Sequence, residues 1–228
     1  MSMPFSNFTK NDWILLISSL LIVLASNIVS PQFDVLITVA ALIGVTSLVL
    51  GAKGNVWSPL LMVVFSVLYG IISYRFCYWG ELVTYLGMTL PMSAWAAVEW
   101  FRNPSEKKGE VAISPMNRTK WLMVLLSTIL VTIGFYFILK HFDTPNLIFS
   151  TLSITTSFFA ASLTLLRSSY YPLFYSANDV ILIILWILAT LENPVYFPVI
   201  INFVVFFVND FYGFISWRKR EKLGSRVT

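Results

Sequence analysis

Residues 95–102 read WAAVEWFR, and residues 212–219, which lie 117 positions later, read YGFISWRK. In both stretches a tryptophan is followed by basic residues, so that Trp100 corresponds to Trp217. The sequence therefore predicts two copies of a three-helix unit. Hydrophobic segments upstream correspond in the same order, 33–51 with 147–167, 57–77 with 174–191, and 80–101 with 195–217.

The composition is that of an integral membrane protein. Hydrophobic residues make up 57% of the chain and charged residues 11%, and the mean hydropathy is +0.79. A helix that crosses a bilayer needs about 20 largely apolar residues. Because the longest polar stretch, 102–120, is too short to bury a core, we predict one all-α membrane domain over residues 1–228. Its predicted spans are 13–29, 33–51, 57–77, 80–101, 120–140, 147–167, 173–191 and 195–217.

The order of these segments predicts a 3+1+3 plan preceded by an extra N-terminal helix. Repeat 1 occupies 33–101, repeat 2 occupies 147–217, and 120–140 is the linker helix between them. Segment 13–29 is interpreted as the extra helix, since no Ala-x-Ala cleavage pattern follows it. Two parallel bundles that face each other enclose a path that can open to either side in turn, which is the layout of a small-solute carrier.

Basic residues fall almost entirely on one predicted side of the membrane. The other side receives only Arg75 and Lys140. Short loops rich in Lys and Arg remain cytoplasmic, so both termini are predicted to be cytoplasmic and the repeats to be parallel. The net charge of +4 reflects this bias and requires no nucleic-acid partner. The cytoplasmic set is Lys10, Lys53, Arg102, Lys107, Lys108, Arg118, Lys120, Arg167, Arg218, Lys219, Arg220, Lys222 and Arg226.

Several functions are disfavoured by the residue types. Cys77 is the single cysteine and His141 the single histidine, so neither a Cys-based metal site nor a resident cofactor is predicted. The chain has no H-E-x-x-H, no G-x-S-x-G and no P-loop motif, and an enzyme or ATP-driven pump is not expected. Asp179 and Asp210 form the remaining candidate acid pair, and no nucleophile motif adjoins them.

Polar residues inside the last two spans mark a candidate pathway, because a central Asp costs roughly 2.5–3.5 kcal/mol in a membrane helix. Trp186 and Asn202 are predicted at one depth, and Asp179 and Asp210 at a second depth on neighbouring helices. An aromatic plane beside amide groups suits a flat heteroaromatic ring that carries an amide or a sugar. A cationic ring would gain about 0.5–2 kcal/mol more from Trp186.

Helical spacing groups further residues with this set. Thr190 shares a face with Trp186, Asn178 lies near that face, and Asn209 shares a face with Asn202. Membrane-embedded Asn and Asp also hydrogen-bond neighbouring helices, so ligand binding and helix pairing both remain open for Asn178, while Asp179 and Asp210 are interpreted as helix-pairing or gating residues. The hydroxyl cluster Ser153, Thr155, Thr156 and Ser157 suits a ribose or the carbonyls of its own helix.

The first repeat offers fewer polar candidates. Tyr69 is the predicted counterpart of Trp186. Pro91, in the unusual run 80–91, frees the carbonyl of Gly87 and predicts a kink that is either a hinge or a fixed bend. Tryptophans near span ends are predicted to be interfacial anchors, namely Trp57, Trp79, Trp100, Trp121 and Trp217.

The signature NDFYGFISWRK at 209–219, its weaker counterpart WAAVEWFRN at 95–103 and the 3+1+3 plan resemble the PnuC family of bacterial vitamin B3 transporters. The resemblance covers about residues 33–220, and its architecture is similar to that of the SWEET carriers. It implies uptake of nicotinamide riboside across the cytoplasmic membrane by facilitated diffusion with alternating access, and a homotrimer. Relatives with the same plan are thought to carry thiamine, riboflavin or deoxynucleosides, which are the alternative substrates.

The resemblance also implies where ligands bind. Family contacts are aromatic and amide residues in the last helices, which here match Trp186, Asn202, Asn209 and Tyr212 in kind, while Thr190 stands where relatives place an asparagine. The predicted substrate-binding set is Trp186, Thr190, Asn202, Asn209, Tyr212, Asn178, Tyr69 and Thr156, with Asp179, Asp210 and Pro91 as gating or helix-pairing residues.

Overall fold

A computed structural model describes residues 4–30, 33–75 and 79–224, and Cys77 and Arg226 lie outside these ranges. Short loops join most of the helices within them, and a longer loop, 103–117, joins α5 to α6. A π-helical segment, Tyr85–Thr89, joins α4 to α5, and a short 3₁₀ turn, Pro194–Tyr196, leads into α9. The helices are α1 Lys10–Val29, α2 Val35–Ala52, α3 Ser58–Arg75, α4 Trp79–Thr84, α5 Leu90–Arg102, α6 Arg118–His141, α7 Leu147–Leu165, α8 Tyr171–Glu192 and α9 Phe197–Gly224.

The predicted all-α membrane fold is confirmed. Seven helices in the described part of the chain are long and apolar enough to cross a bilayer. The fourth predicted span, 80–101, is helical from Trp79 to Arg102, but the π-helical segment divides it into shorter pieces, and it is not among the seven. We call this divided span the broken helix.

The interruption of the broken helix has a local chemical cause. Pro91 has no N–H, and its ring would clash with the carbonyl of Gly87 in a regular α-helix. The chain widens instead, and the Leu90 N–H donates to the Tyr85 carbonyl five residues earlier. The irregularity predicted near Gly87 is therefore present as a π-helical turn, a feature that often occurs at functional sites.

Polar residues fix the starts of several helices. Thr9 and Asp12 form a capping box at α1, in which the Thr9 N–H donates to Asp12 Oδ2 over 2.7 Å. Asp34 caps α2 by accepting from Leu36 N at 2.7 Å, and Asn117 caps α6. These caps place each helix boundary where a polar loop meets an apolar run.

Basic residues meet at one end of the bundle, which we call the basic end. There the loop between α5 and α6 crosses the helix ends, and its Val111 N–H donates to the Gly54 carbonyl over 2.8 Å. Arg220 in α9 pairs with Glu110 of the same loop at 3.2 Å. At the opposite end Arg75 pairs with Asp34 at 3.5 Å.

Trp100 and Trp217 are fully buried, so their predicted role as interfacial anchors is wrong. Their ring centroids lie 5.5 Å apart. Trp100 Nε1 donates to the Thr164 carbonyl at 2.9 Å, and Trp217 Nε1 donates to the Gly51 carbonyl at 2.8 Å. Each indole thus reaches the last turn of the first helix of the other predicted repeat, where carbonyls lack full helical bonding and satisfy the buried N–H.

The sequence spacing of the two indole hydrogen bonds shows how the two predicted repeats align. The donor tryptophans are 117 positions apart, whereas the accepting carbonyls are 113 apart. The spacing of 113 recurs in the turns after these helices, where the Asn55 N–H donates to Leu50 and the Ser168 N–H donates to Leu163. Since α8 has 22 residues and α3 has 18, four extra residues in α8 account for the change.

The sequence register that pairs Tyr69 with Trp186 is consequently wrong by about one helical turn. With the spacing of 113 seen at the starts of α3 and α8, Tyr69 corresponds to Leu182. Helix packing across the two halves is reciprocal as well, because α2 packs against α9 and α5 packs against α7. Such contacts are those expected of two parallel copies.

Candidate ligand-binding cavity

A cavity of about 480 Å³ lies in the middle of the bundle. Residues of α2, α3, the broken helix, α7, α8 and α9 line it. This volume is within the usual range of about 300–1,000 Å³ for sites that enclose a small organic ligand. The helices of both predicted repeats therefore enclose one ligand-sized space.

The cavity reaches the protein surface at the end opposite the basic end. Its rim there includes Phe142 and Asn146 from the α6–α7 loop and Glu192 and Asn193 at the end of α8, all of which are exposed. Toward the basic end it stops at Leu48, Met62, Tyr175 and Asp210, which also line a second cavity of about 30 Å³. We call these four residues the septum.

Aromatic rings from both predicted repeats line the central cavity. Trp186 of α8 is only 9% exposed and packs against Tyr196, with ring centroids 5.5 Å apart. Tyr85 of the π-helical segment is on the lining, and its ring packs against Phe65 at 5.9 Å. These rings offer flat apolar surface to a planar ligand.

The charges on the lining all have the same sign. Its carboxylates are Glu81, Asp179, Asp210 and Glu192, and no Lys, Arg or His occurs among the described lining residues. A low-dielectric cavity with this lining attracts cations and repels anions.

Among the amide residues predicted to bind ligand, Asn178 is the one that lines the cavity. Its Oδ1 accepts a hydrogen bond from Thr156 Oγ1 at 2.9 Å. Thr156 is not on the cavity lining and contacts Asn178 from α7. Because the amide oxygen is engaged by Thr156, the NH₂ group of Asn178 is the part of the side chain that can donate a hydrogen bond to a ligand.

Three predicted ligand residues on α9 contact α1 instead of the cavity. Asn202 Oδ1 accepts from Ser26 Oγ at 3.4 Å, and Asn209 Oδ1 accepts from Ser19 Oγ at 3.1 Å. The Tyr212 hydroxyl donates to Asp12 Oδ1 at 2.7 Å. None of the three α9 residues is on the described cavity lining, so their common face is the α1 interface.

The α1 interface could have been found from the sequence. Asp12, Ser19 and Ser26 are spaced seven apart, which places them on one face of α1. Asp12 is fully buried there and also pairs with Lys53 of the α2–α3 turn at 3.0 Å. This polar ladder ties the extra helix to α9 and to the end of α2.

The remaining predicted residues support the cavity from behind. Thr190 Oγ1 donates to the Trp186 carbonyl at 2.6 Å, in its own helix. The Tyr69 ring packs on Tyr85 with centroids 4.3 Å apart. Neither Thr190 nor Tyr69 is on the cavity lining. Trp79, which was predicted to be an interfacial anchor, does line the cavity.

Glu81 and Tyr85 were missed as candidate ligand residues. Both lie in the unusual run 80–91, and a Glu within an apolar span was the available signal. Because that run belongs to the broken helix, it places an acid and an aromatic ring at the cavity from the first predicted repeat.

A ligand-sized cavity inside a helical membrane bundle, open toward one end and closed by a septum toward the other, is the geometry of a small-solute transporter. The chain belongs to the nicotinamide mononucleotide transporter family, whose model matches residues 34–219. The predicted membership in the PnuC family of transporters is thereby confirmed.

Two relatives are informative. The chain is 24% identical over 192 residues to the nicotinamide riboside transporter PnuC of Neisseria mucosa, which covers 82% of this chain and 73% of that protein. It also shares its fold with a crystal structure described as the vitamin B3 transporter PnuC, with a TM-score of 0.81, 23% identity and coverage of 94% of this chain and 93% of that one.

Proposed function

We propose that the protein takes up nicotinamide riboside across the bacterial cytoplasmic membrane. The observation that carries this proposal is the acidic, aromatic cavity that contains Trp186, Tyr85 and the Asn178 amide. The riboside is a flat pyridinium cation with a carboxamide and a ribose. Aromatic rings suit its π-face and charge, the amide suits its carboxamide, and the carboxylates supply the opposite charge.

Charge separates the riboside from its 5′-phosphate, the mononucleotide named by the family. A phosphate would bring roughly two negative charges into a cavity whose described lining has four carboxylates and no basic residue. Burying an uncompensated charge costs several kcal/mol. Thiamine, which also has a cationic ring, is the second candidate. Riboflavin and deoxynucleosides have neutral rings, which the carboxylates of the cavity would not attract by charge.

Calorimetric titration of the detergent-purified protein tests this assignment, with nicotinamide riboside, its mononucleotide, thiamine and riboflavin as ligands. We expect the riboside to bind most tightly and the mononucleotide not to bind. Preferential binding of thiamine would overturn the substrate and leave the class of protein intact. Equal affinity for the mononucleotide would contradict the argument from charge.

We further propose alternating access between two parallel three-helix repeats. Leu48 and Met62 of the septum come from the first predicted repeat, and Tyr175 and Asp210 from the second. Because each half supplies two septum residues, rocking of one half against the other would part the septum and close the opposite mouth. With no P-loop in the sequence to couple ATP hydrolysis, the proposed transport is facilitated diffusion.

Membrane orientation and assembly complete the proposal. The basic end is assigned to the cytoplasm, because loops rich in Lys and Arg remain there. The described cavity then opens to the outside, and the septum faces the cytoplasm. The resemblance to the PnuC family is our reason to propose a homotrimer.

Glu81→Gln is expected to weaken binding of the cationic riboside by about 1–2 kcal/mol. The change removes one carboxylate that attracts the cation, an effect on the order of 1–2 kcal/mol at an effective dielectric constant of about 20, and Gln keeps the size of the side chain. Calorimetric titration measures the change. Glu106→Gln, which removes an exposed loop carboxylate, is the control and should leave affinity unchanged. Equal riboside affinity in Glu81→Gln and the wild type would remove Glu81 from the site.

Pro91→Ala is expected to change the transport rate more than the equilibrium affinity. Alanine restores an N–H that can bond to Gly87, which favours a regular α-helix over the π-helical turn that borders the cavity. Riboside uptake into liposomes and calorimetry give the two quantities, and Pro115→Ala in the exposed α5–α6 loop is the control. Unchanged uptake would mean that the bend is a passive feature.

A further inference from the structure

Asp179 of α8 and Asp210 of α9 are two buried carboxyl groups on neighbouring helices that face the same cavity. They are 4% and 5% exposed, and both line the central cavity. Asp179 Oδ2 is buried and has no hydrogen-bond partner among the described residues. An ionised carboxylate only accepts hydrogen bonds, so two carboxyl groups bond to each other when one of them holds a proton.

The residues around this pair supply no compensating positive charge. The ionisable groups that face it are hydroxyls and another acid, Tyr171 and Tyr175 from α8 and Tyr85 and Glu81 from the broken helix. Helices α2 and α7 contain no ionisable side chain.

Three charged groups on the other neighbouring helices are paired with residues outside this site. On α1, Asp12 pairs with Lys53 at 3.0 Å and accepts from Tyr212 of α9. Farther along α9, Arg220 pairs with Glu110 at 3.2 Å. On α3, Arg75 pairs with Asp34 at the far end.

We propose that Asp179 and Asp210 form a proton-binding site on the transport path, which holds one proton in the empty cavity and releases it when a cationic ligand enters. Two neighbouring carboxyl groups in one buried site do not both ionise without a compensating positive charge, so the pair retains a proton until a cation arrives. The release step rests on the proposed function.

The position of the pair connects the proton to both ligand and septum. Asp179 is two helical turns, roughly 10 Å, from Trp186 on the same helix, so a ligand against Trp186 and the pair share one cavity. Asp210 is also a septum residue. Because ligand and proton then compete, affinity for a cationic ligand should rise with pH, by up to about tenfold per pH unit.

Infrared spectroscopy of the purified, ligand-free protein tests the proton site without any ligand. The carbonyl-stretch band of a protonated carboxylic acid should be present in the wild type and in Glu106→Gln. The band should be lost in both Asp179→Asn and Asp210→Asn. Circular dichroism checks that these variants fold, and one folded variant is enough for the test. Absence of the band from the wild type, or a band unchanged in the variants, would overturn the site.

Calorimetry of the wild type in two buffers of different ionisation enthalpy tests the release. We expect about one proton released for each riboside or thiamine bound, and none for neutral riboflavin. Binding of either cation without proton release would overturn the competition. If none of these vitamins binds, the proposed function fails, whereas the infrared band still decides whether the pair holds a proton.

Discussion

Trp217→Ala is expected to lower the free energy of unfolding by about 3–5 kcal/mol, the usual cost of removing a large buried aromatic ring. Trp217 is 0% exposed, contacts Tyr171 at 5.0 Å between centroids, and satisfies the Gly51 carbonyl. The loss should appear as a lower melting temperature of the detergent-purified protein. Trp13→Ala, at a position 42% exposed on α1, is the control and should melt close to the wild type.

The reciprocal geometry extends this expectation to Trp100, whose truncation should cost a similar amount. Because the rings of Trp100 and Trp217 are in contact, the two losses should not add in the double variant. A melting temperature unchanged by Trp217→Ala would contradict the assignment of this pair to the core. Fully additive losses would contradict a shared contact between the two halves.

Trp186→Ala is expected to weaken riboside binding by about 1–3 kcal/mol, or roughly 5- to 150-fold in the dissociation constant. The ring is the large aromatic surface that α8 presents to the central cavity, and its removal takes away both stacking and packing. Calorimetric titration measures the change in affinity.

Two control variants separate this loss from misfolding. Trp186→Phe keeps an aromatic ring at the same place and should retain part of the affinity, while Trp13→Ala lies outside the cavity and should retain all of it. The size-exclusion profile of Trp186→Ala should match that of the wild type. An unchanged affinity in a well-folded Trp186→Ala protein would remove Trp186 from the site.

The helices could be predicted from the sequence because the bilayer imposes their length. Apart from the broken helix, each apolar run of about 20 residues forms one helix whose bounds lie close to the predicted ones, although α9 continues beyond the predicted end to Gly224. The interruption before Pro91 was also predictable, since it follows from a missing N–H and a steric clash within one helix. Features that depend on a single segment could thus be predicted from the sequence.

Features that depend on which helices are neighbours could not be predicted from the sequence in this way. Asn202 and Asn209 share a helix face as expected, but that face packs on α1, and spacing along α9 alone does not identify its neighbour. Trp100 and Trp217 lie at span ends like ordinary anchors, and only the packing of the two halves buries them. The burial of a span-end residue is a property of the fold.

The register between the two predicted copies could not be predicted from the sequence, for a related reason. Adding one helical turn to α8 keeps its apolar pattern, so hydrophobicity does not reveal the shift that moves the counterpart of Tyr69 from Trp186 to Leu182. Backbone hydrogen bonds after α2 and α7 fix the register directly. Two of the eight predicted substrate-binding residues, Trp186 and Asn178, line the cavity, because both lie on α8 near one face.

Uptake of labelled nicotinamide riboside by liposomes that contain the purified protein is the direct test of facilitated transport. With equal pH on both sides and no ATP, we expect the riboside to enter faster than into empty liposomes and to stop at equal concentrations inside and out. We also expect the solute to remain chemically unchanged and the mononucleotide to be excluded. Uptake no faster than in empty liposomes, or chemical change of the solute, would contradict the account.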